Sequence, residues 1–370
     1  MSILPSSSAE RPMFVGGSAS AFKPQHTVLE DTALEGTALD RDEAAHTQLQ
    51  PEAAILEPPA ALLTAPIVAP IDGFDQLLRL LPGWVRQIAI EYQDGLEEIA
   101  LDLGKPLAIR AGEGHKLFER VVEERDLDYV VDRAGQFRAD NRLGIDRTLH
   151  RISAKRDRYD YLDGLTIRVA RMVIGVAEVL REYVERANGF MVIGPPGVGK
   201  TTLLRDIVRI CAERVGPKVI VVDTSNEIGG DGRIVHPGLG AARRMQVSSP
   251  ELQAKTIMQA IANHGPEIIV CDEIGYHGDV AVIQTAARRG VGVIATAHGR
   301  VFQDVLENPV FHPLMGDFDL DAGKRRSRPV FDAAVEIRAK GKFLLHESVA
   351  DAVDRLLADG DPGGLKLGQW

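Results

Sequence analysis

The stretch Phe190-Met-Val-Ile-Gly194-Pro195-Pro196-Gly197-Val198-Gly199-Lys200-Thr201-Thr202-Leu-Leu-Arg205 decides the fold. An apolar strand enters a glycine-rich turn, a Lys-Thr pair follows, and an amphipathic helix leaves, which is the context a phosphate-binding loop requires. Glycines let successive backbone N–H groups turn inward around an anion, and the helix N-terminus adds its positive end. Gly194, Pro195, Pro196, Gly197, Val198, Gly199, Lys200, Thr201 and Thr202 are therefore the candidate cradle. Lys200 offers a compact charge to β- and γ-phosphates, Thr201 a hydroxyl to Mg²⁺, and Thr202 support for the loop. The competing reading is a glycine turn without nucleotide chemistry, which the Lys-Thr pair and its flanks disfavour.

Downstream comes Pro266-Glu-Ile-Ile-Val-Cys-Asp272-Glu273-Ile274-Gly275, with Asp272 72 residues beyond Lys200. A buried strand ending in Asp272 places a carboxylate where it can hold the Mg²⁺ shell, and Glu273 can orient and polarise an attacking water. Two other apolar runs end in polar groups: Val219-Ile-Val-Val-Asp223-Thr-Ser-Asn226-Glu227 and Val291-Gly-Val-Ile-Ala-Thr296-Ala-His298. Open α/β sheets bind ligands outside the carboxyl ends of their strands, so Asp223, Asn226, Glu227, Thr296 and His298 are candidates to sense a γ-phosphate. The alternative is that each only caps a strand-to-helix turn. Arg233, Arg243, Arg244, Arg288 and Arg289 invite an arginine-finger reading, a guanidinium reaching a neighbour's γ-phosphate. Arg243 is the favourite, because the long glycine-rich loop Gly229–Gly240 leads to it.

Around the loop, strands at Phe190–Ile193, Val219–Asp223, Ile268–Asp272 and Val291–Ala295 alternate with helices, which predicts an α/β fold with a parallel sheet covered on both faces. This core is expected over 173–310. Residues 73–172 read as a small α+β domain. Its two short helices split at Pro82, Glu97–Leu103 pairs with Pro106–Arg110 across Gly104, and a helix opens on acids near Asp126. Residues 311–370 read as an extension with a strand pair, Ala333–Arg338 and Lys342–His346, a helix Val349–Leu357, and a frayed end from Gly363 to Trp370. Residues 1–72 read as a disordered tail: no hydrophobic period persists, and eight of the 20 prolines fall there. It is a linker or a partner-binding arm.

The formal charge of −10 is unevenly spread, since the tail holds ten acids against three bases and so carries −7. Aggregate charge argues against a generally basic nucleic-acid binder and leaves local basic stripes open. Cys211 and Cys271 sit in apolar runs and form neither a disulfide framework nor a zinc signature. No run is long enough to span a bilayer, and no targeting segment is legible, so the reading is a soluble protein of a reducing cytoplasm.

With these motifs the sequence resembles the ATPases similar to stage III sporulation protein AA, and within them the branch found in cyanobacteria, plastids and other bacteria. The resemblance rests on the loop itself, Val-Asp-Thr-Ser-Asn-Glu-Ile-Gly-Gly-Asp-Gly from Val222, and Ala-Arg-Arg-Met-Gln-Val from Ala242. It also rests on Asn-His-Gly-Pro-Glu-Ile-Ile-Val-Cys-Asp-Glu-Ile-Gly from Asn263 and Thr-Ala-His-Gly from Thr296. Upstream, Asp140-Asn-Arg, Thr148-Leu-His-Arg-Ile-Ser and Gly164-Leu-Thr-Ile-Arg-Val-Ala-Arg match that branch. Downstream, Phe331-Asp-Ala-Ala-Val-Glu-Ile and His346-Glu-Ser-Val-Ala do so. The resemblance implies a RecA-like or AAA-type core, distantly similar to the hexameric motors of type II and type IV secretion. By it Glu227 corresponds to an acidic box and His298 to a histidine box. Three departures stand out. The 370 residues do not include the arginine–histidine-rich single-stranded nucleic-acid-binding domain that many members carry, Tyr276-His277-Gly-Asp279 replaces a Thr-Glu pair, and Arg300-Val301 replaces Asn-Thr.

The expected activity is Mg²⁺-dependent hydrolysis of ATP to ADP and phosphate by a homo-oligomer, a ring such as a hexamer, acting on a protein or nucleic-acid cargo. In it Lys200, Thr201 and Asp272 hold MgATP, Glu273 activates water, and Glu227, His298 and Arg243 report the γ-phosphate. The alternatives are a slow nucleotide-dependent switch or scaffold, and a single-stranded nucleic-acid remodeller using the basic stretches Arg151–Arg158 and Lys324–Arg328.

Overall fold

The computed structural model describes residues 67–68, 72–112, 114–319 and 322–368. The tail expected over 1–72 lies outside the described residues except at three positions. Ile67–Val68 pairs antiparallel with Val173–Ile174, and Asp72 contacts His236.

Residues 73–172 fold as helices on an antiparallel sheet. Helices α1 (Phe74–Leu80) and α2 (Gly83–Glu91) are separated at Pro82, and Leu81 before it is extended (φ −91°, ψ 141°), as the residue preceding a proline must be. The strands are β1 (Leu96–Asp102), β2 (Pro106–Ala111), β3 (Gly114–Val121), β4 (Arg142–Gly144), β5 (Arg151–Arg156) and β6 (Leu162–Arg168), in the order β3-β2-β1-β6-β5-β4. Strand β3 escapes the sequence reading because it is an edge strand with almost every side chain exposed and hence no alternation. Helix α3 (Glu124–Ala134) opens on acids as expected. The buried Asp126 carboxylate accepts the Glu123 amide at 3.0 Å and the Trp84 indole N–H at 2.9 Å.

The second layer system is an eight-stranded sheet of β7 (Gly189–Gly194), β8 (Val219–Asp223), β9 (Arg243–Gln246), β10 (Ile268–Cys271), β11 (Gly292–His298), β12 (Ala333–Ala339), β13 (Lys342–His346) and β14 (Leu365–Gly368). The order is β9-β8-β10-β11-β7-β12-β13-β14; the first six run parallel, β13 runs against β12, and β14 runs against β13. The strand of the phosphate loop is thus separated from the Asp272 strand by β11, the order of a RecA-like core. Phe190 and Val192 point to the face covered by α4 (Lys200–Val215). Met191 and Ile193 point to the face covered by α5 (Gln253–His264), α6 (His277–Arg288), α7 (Phe302–Glu307) and α8 (Val349–Leu357). The α/β expectation with a parallel sheet holds.

The C-terminal segment is built into this sheet: β12 lies directly beside the phosphate-loop strand, with Glu336 opposite Ile193. One expectation is corrected. Leu365–Gly368, expected to fray, pairs with β13 and packs Leu365 and Leu367 against the α4-side core. A Leu-Lys-Leu alternation of that length is too short to read against its flanking glycines. Both cysteines are free and buried, and burial pushes the Cys211 thiol up to about 12. Among the described residues no helix is long and apolar enough to cross a membrane.

Candidate functional site

The parallel strands bring their carboxyl ends to one edge, where His298 is in register with Gly194 and Cys271, preceding Asp272, with Ala295. Gly194 must stay bare, because a Cβ there would fall 2.8 Å from Val198 Cγ1. Gly197 and Gly199 hold φ of 75° and 108°, the left-handed region where glycine alone is comfortable. Helix α4 then begins at Lys200, so free backbone donors face the cleft.

A cleft of about 320 Å³ joins Pro196, Gly197, Gly199, Lys200, Thr201 and Thr202 to Ser225, Glu227, Asp272, Glu273, Thr296 and His298. Gly194, Pro195 and Val198 shape the loop from behind. Lys200 Nζ donates to Gly194 O at 2.7 Å and Pro195 O at 3.0 Å, and stands 3.5 Å from His298 Nδ1. Burial depresses its pKa against the pull of Glu273 and Asp272. His298 Nε2 contacts Glu273 Oε1, so an ammonium on one side and a carboxylate on the other assign the imidazole proton to Nε2. Lys200, His298 and Glu273 form one chain of polar contacts.

Asp272 is buried, and desolvation raises its pKa, with the charges of Glu227 and Glu273 adding to it; hydrogen bonds from Ser225 and Thr296 oppose the rise. Thr296 Oγ1 also accepts the Glu273 amide at 2.9 Å. That pins Glu273 at φ 45°, a left-handed conformation costly for a non-glycine and typical of a constrained functional residue. Thr201 Oγ1 lies 3.5 Å from Glu227 Oε2. The Thr201 hydroxyl and the Asp272 carboxylate line the same cleft and are oxygen donors of the hard kind that Mg²⁺ takes.

Asp223, a candidate sensor, instead organises the turn behind Glu227. Its buried carboxylate accepts Ile228 N at 3.3 Å and Gly229 N at 2.8 Å, and burial pushes its pKa up to about 6. Asn226 (φ 56°) accepts from Gln246 Nε2 at 3.0 Å. Sequence reasoning missed the residue on the other side of this turn. Arg205, buried, donates to Ile228 O at 2.9 Å and Glu227 O at 2.5 Å. Its position one helical turn beyond Thr201 was the available signal, since i and i+4 share a face. Arg205→Met leaves both carbonyls without a donor, and is expected to destabilise the chain by about 2–4 kcal/mol, read as a fall in melting temperature.

The five finger candidates are scattered. Arg243 opens β9 at the opposite edge of the sheet from the cleft, 3.4 Å from His264 Nδ1, so within one chain it does not reach this site. Arg244 laces the glycine-rich loop by donating to Gly229 O at 3.3 Å, Gly232 O at 2.6 Å and Arg233 O at 3.2 Å. Arg233 is exposed, and Arg288 and Arg289 stand at the C-terminal end of α6. Outside this set, Arg151 of β5 stands 3.4 Å from Glu227 Oε1, and Arg138 and Arg142 line the adjoining pocket with Asp272, Glu273 and His298. The glycine-rich loop is clamped to residues 138–148: Arg147 N donates to Ile234 O, Arg138 pairs with Asp231 at 2.9 Å, and a Cβ on Gly230 would fall 2.2 Å from Thr148 O.

The basic stretches are largely neutralised. Lys155 pairs with Asp102 at 2.5 Å, Arg156 with Asp160 at 3.7 Å, Arg325 with Asp354 at 2.8 Å, Arg326 with Asp319 at 2.9 Å and Arg328 with Asp332 at 3.0 Å. In the departure at Tyr276, Asp279 caps α6 by accepting the Tyr276 amide at 3.3 Å.

The family described as "Sporulation stage III, protein AA" matches residues 135–321. The ycf45 protein of Porphyra purpurea is 38% identical over 309 residues, 79% of this chain and 55% of that protein. The protein SEEDLING PLASTID DEVELOPMENT 1 of Arabidopsis thaliana is 41% identical over 313 residues, 80% of this chain and 45% of that one. The chain spans about half the length of these relatives. Among solved structures, the ATPase DotB of Legionella pneumophila is similar with a TM-score of 0.48 at 15% identity, covering 75% of this chain and 84% of that one. A match that runs from Gly135 through the clamped loop and the cleft it borders makes the chain a member of the stage III sporulation protein AA family.

Proposed function

We propose that the chain is a Mg²⁺-dependent ATPase that works as a ring-forming motor or remodelling protein on a macromolecular partner. The observation that carries this is the meeting of Lys200, Thr201, Asp272, Glu273 and His298 in one cleft at the carboxyl ends of parallel strands. The loop amides and Lys200 would hold the triphosphate, with Lys200 exchanging the Gly194 and Pro195 carbonyls for phosphate oxygens. Thr201 and Asp272 would hold the cation, which supplies charge neutralisation at the phosphates. Glu273 orients a water and takes its proton as the water oxygen bonds the γ-phosphorus; the bond to the β–γ bridging oxygen breaks, giving ADP and phosphate. His298, touching both Lys200 and Glu273, reports whether the γ-phosphate is present. Arg243, remote from the cleft of its own chain, is available to a neighbour as a finger.

A protein cargo is favoured over single-stranded nucleic acid, because the basic side chains that would track a phosphate backbone are mostly spent on acids of the same chain. The test is phosphate release by the full chain from ATP. Release is expected with Mg²⁺, absent with EDTA, restored by excess Mg²⁺, and unchanged by single-stranded DNA or RNA at low salt. Equal release in EDTA would remove the metal assignment. Absence of release under all conditions would remove the enzyme.

A further inference from the structure

We propose that Glu336, in the C-terminal segment, is a positioning residue for His298, an inference that rests on the ATPase reading above. Glu336 lies on β12 directly opposite Ile193, the residue before the phosphate loop, and is 1% exposed. Two donors and one paired guanidinium converge on its carboxylate. Phe302 N donates to Oε1 at 2.9 Å, His346 Nε2 donates to the same oxygen at 2.7 Å, and Arg338 Nη2 lies 2.6 Å from Oε2. His346 is itself buried, and its Nδ1 has no hydrogen-bond partner, which leaves Nε2 as the protonated nitrogen facing Glu336. The two residues belong to separate segments quoted from the sequence above, Phe331–Ile337 and His346–Ala350, neither of which the catalytic cleft uses.

What Glu336 holds is the end of the strand that carries His298. Strand β11 stops at His298, and only Gly299, Arg300 and Val301 separate it from Phe302, the first residue of α7. Val301 at its N-cap offers no side-chain acceptor; Asp304 Oδ2 accepts the Arg300 amide at 2.7 Å, and the Glu336 carboxylate takes the Phe302 amide. Phe302 is fully buried with its ring 4.9 Å from that of His346. Gly299 is wedged between Ile193 and Val305, where a Cβ would come within 3.3 Å of either. With three linking residues, one of them wedged and the far end tied to a buried carboxylate, His298 has little freedom to drift from Lys200 and Glu273. An error of about 1 Å in such a group is enough to cost two orders of magnitude in rate.

The test uses the full chain. Glu336→Leu keeps roughly the size of the side chain but removes both acceptor oxygens, so the Phe302 tie is lost. Its kcat for ATP is expected to fall about tenfold, with KM changed by less than about twofold. The deciding comparison is a cycle with His298→Ala: the tenfold loss disappears in that background if Glu336 acts through His298. An equal loss in both backgrounds, or wild-type kcat in the single variant, overturns the proposal. Should Glu336→Leu fail to fold, the His346 pair carries the comparison. His346→Leu, which removes the donor, is expected to reproduce the loss, and His346→Gln, which keeps one, to rescue most of it. Wild-type kcat in His346→Leu overturns the proposal equally. A hydrolysing wild type with an additive cycle sinks this inference alone, whereas a wild type that releases no phosphate takes down the ATPase reading and this one with it.

Discussion

The Lys200→Ala chain is expected to fold and assemble like wild type and to release phosphate from ATP at least about a hundredfold more slowly, the scale on which a single charge-stabilising group acts in a water-poor site. Stability is not the route to this loss. The ammonium donates only to two carbonyls of its own loop, and burial makes its charge unfavourable where it stands. Truncation therefore removes a desolvation cost along with two hydrogen bonds, and the melting temperature without nucleotide should be unchanged or slightly higher. What should vanish is the rise in melting temperature that MgATP produces, since ligand binding stabilises only in proportion to affinity. Wild-type turnover in this variant ends the assignment of the loop as the phosphate site. A large drop in melting temperature without ligand would show that Lys200 is structural.

The loop, the Asp272-Glu273 strand end and the α/β alternation are legible because each is local: a glycine pattern, a run of apolar residues, a polar pair at its end. Other parts of the site depend on contacts between residues far apart in sequence, which periodicity does not encode. Arg151 reaches Glu227 across 76 positions. Glu336 meets Phe302 across 34. Arg205 was quoted as part of the loop motif, yet its function is set by where the Glu227 turn returns. Asp223 shows the converse error. A polar residue at a strand end looks like a sensor, and here its buried carboxylate is fully engaged with two backbone amides. The glycine-rich loop that leads to Arg243 suggests a finger for a neighbour's γ-phosphate, and the sequence does not say where on its own chain that residue stands. The parallel pairing of β8 and β9 carries that residue to the start of a strand, at the edge away from the cleft.

Glu273→Gln should separate binding from chemistry. The substitution preserves the side chain's shape and leaves an amide oxygen to accept from His298 Nε2, while the Thr296 bracket on its backbone is untouched. Nucleotide affinity should therefore stay within a few-fold of wild type, about 1 kcal/mol or less. Loss of a carboxylate that takes a proton from the attacking water costs about 10²–10⁴ in rate, so the variant should hold ATP and stall. A stalled ATP-bound chain is the form in which a ring and its cargo are best retained, and its oligomeric state in MgATP can be read by sedimentation. Three results are informative. Turnover close to wild type transfers the role of base to Glu227, which stands 3.5 Å from Thr201 and is paired with Arg151; Glu227→Gln should then produce the stall instead. A chain that retains ATP yet stays monomeric keeps the ATPase and removes the ring, favouring the nucleotide-dependent switch. A chain that neither retains ATP nor self-associates removes the motor, because the geometry that justified it predicts binding without the carboxylate.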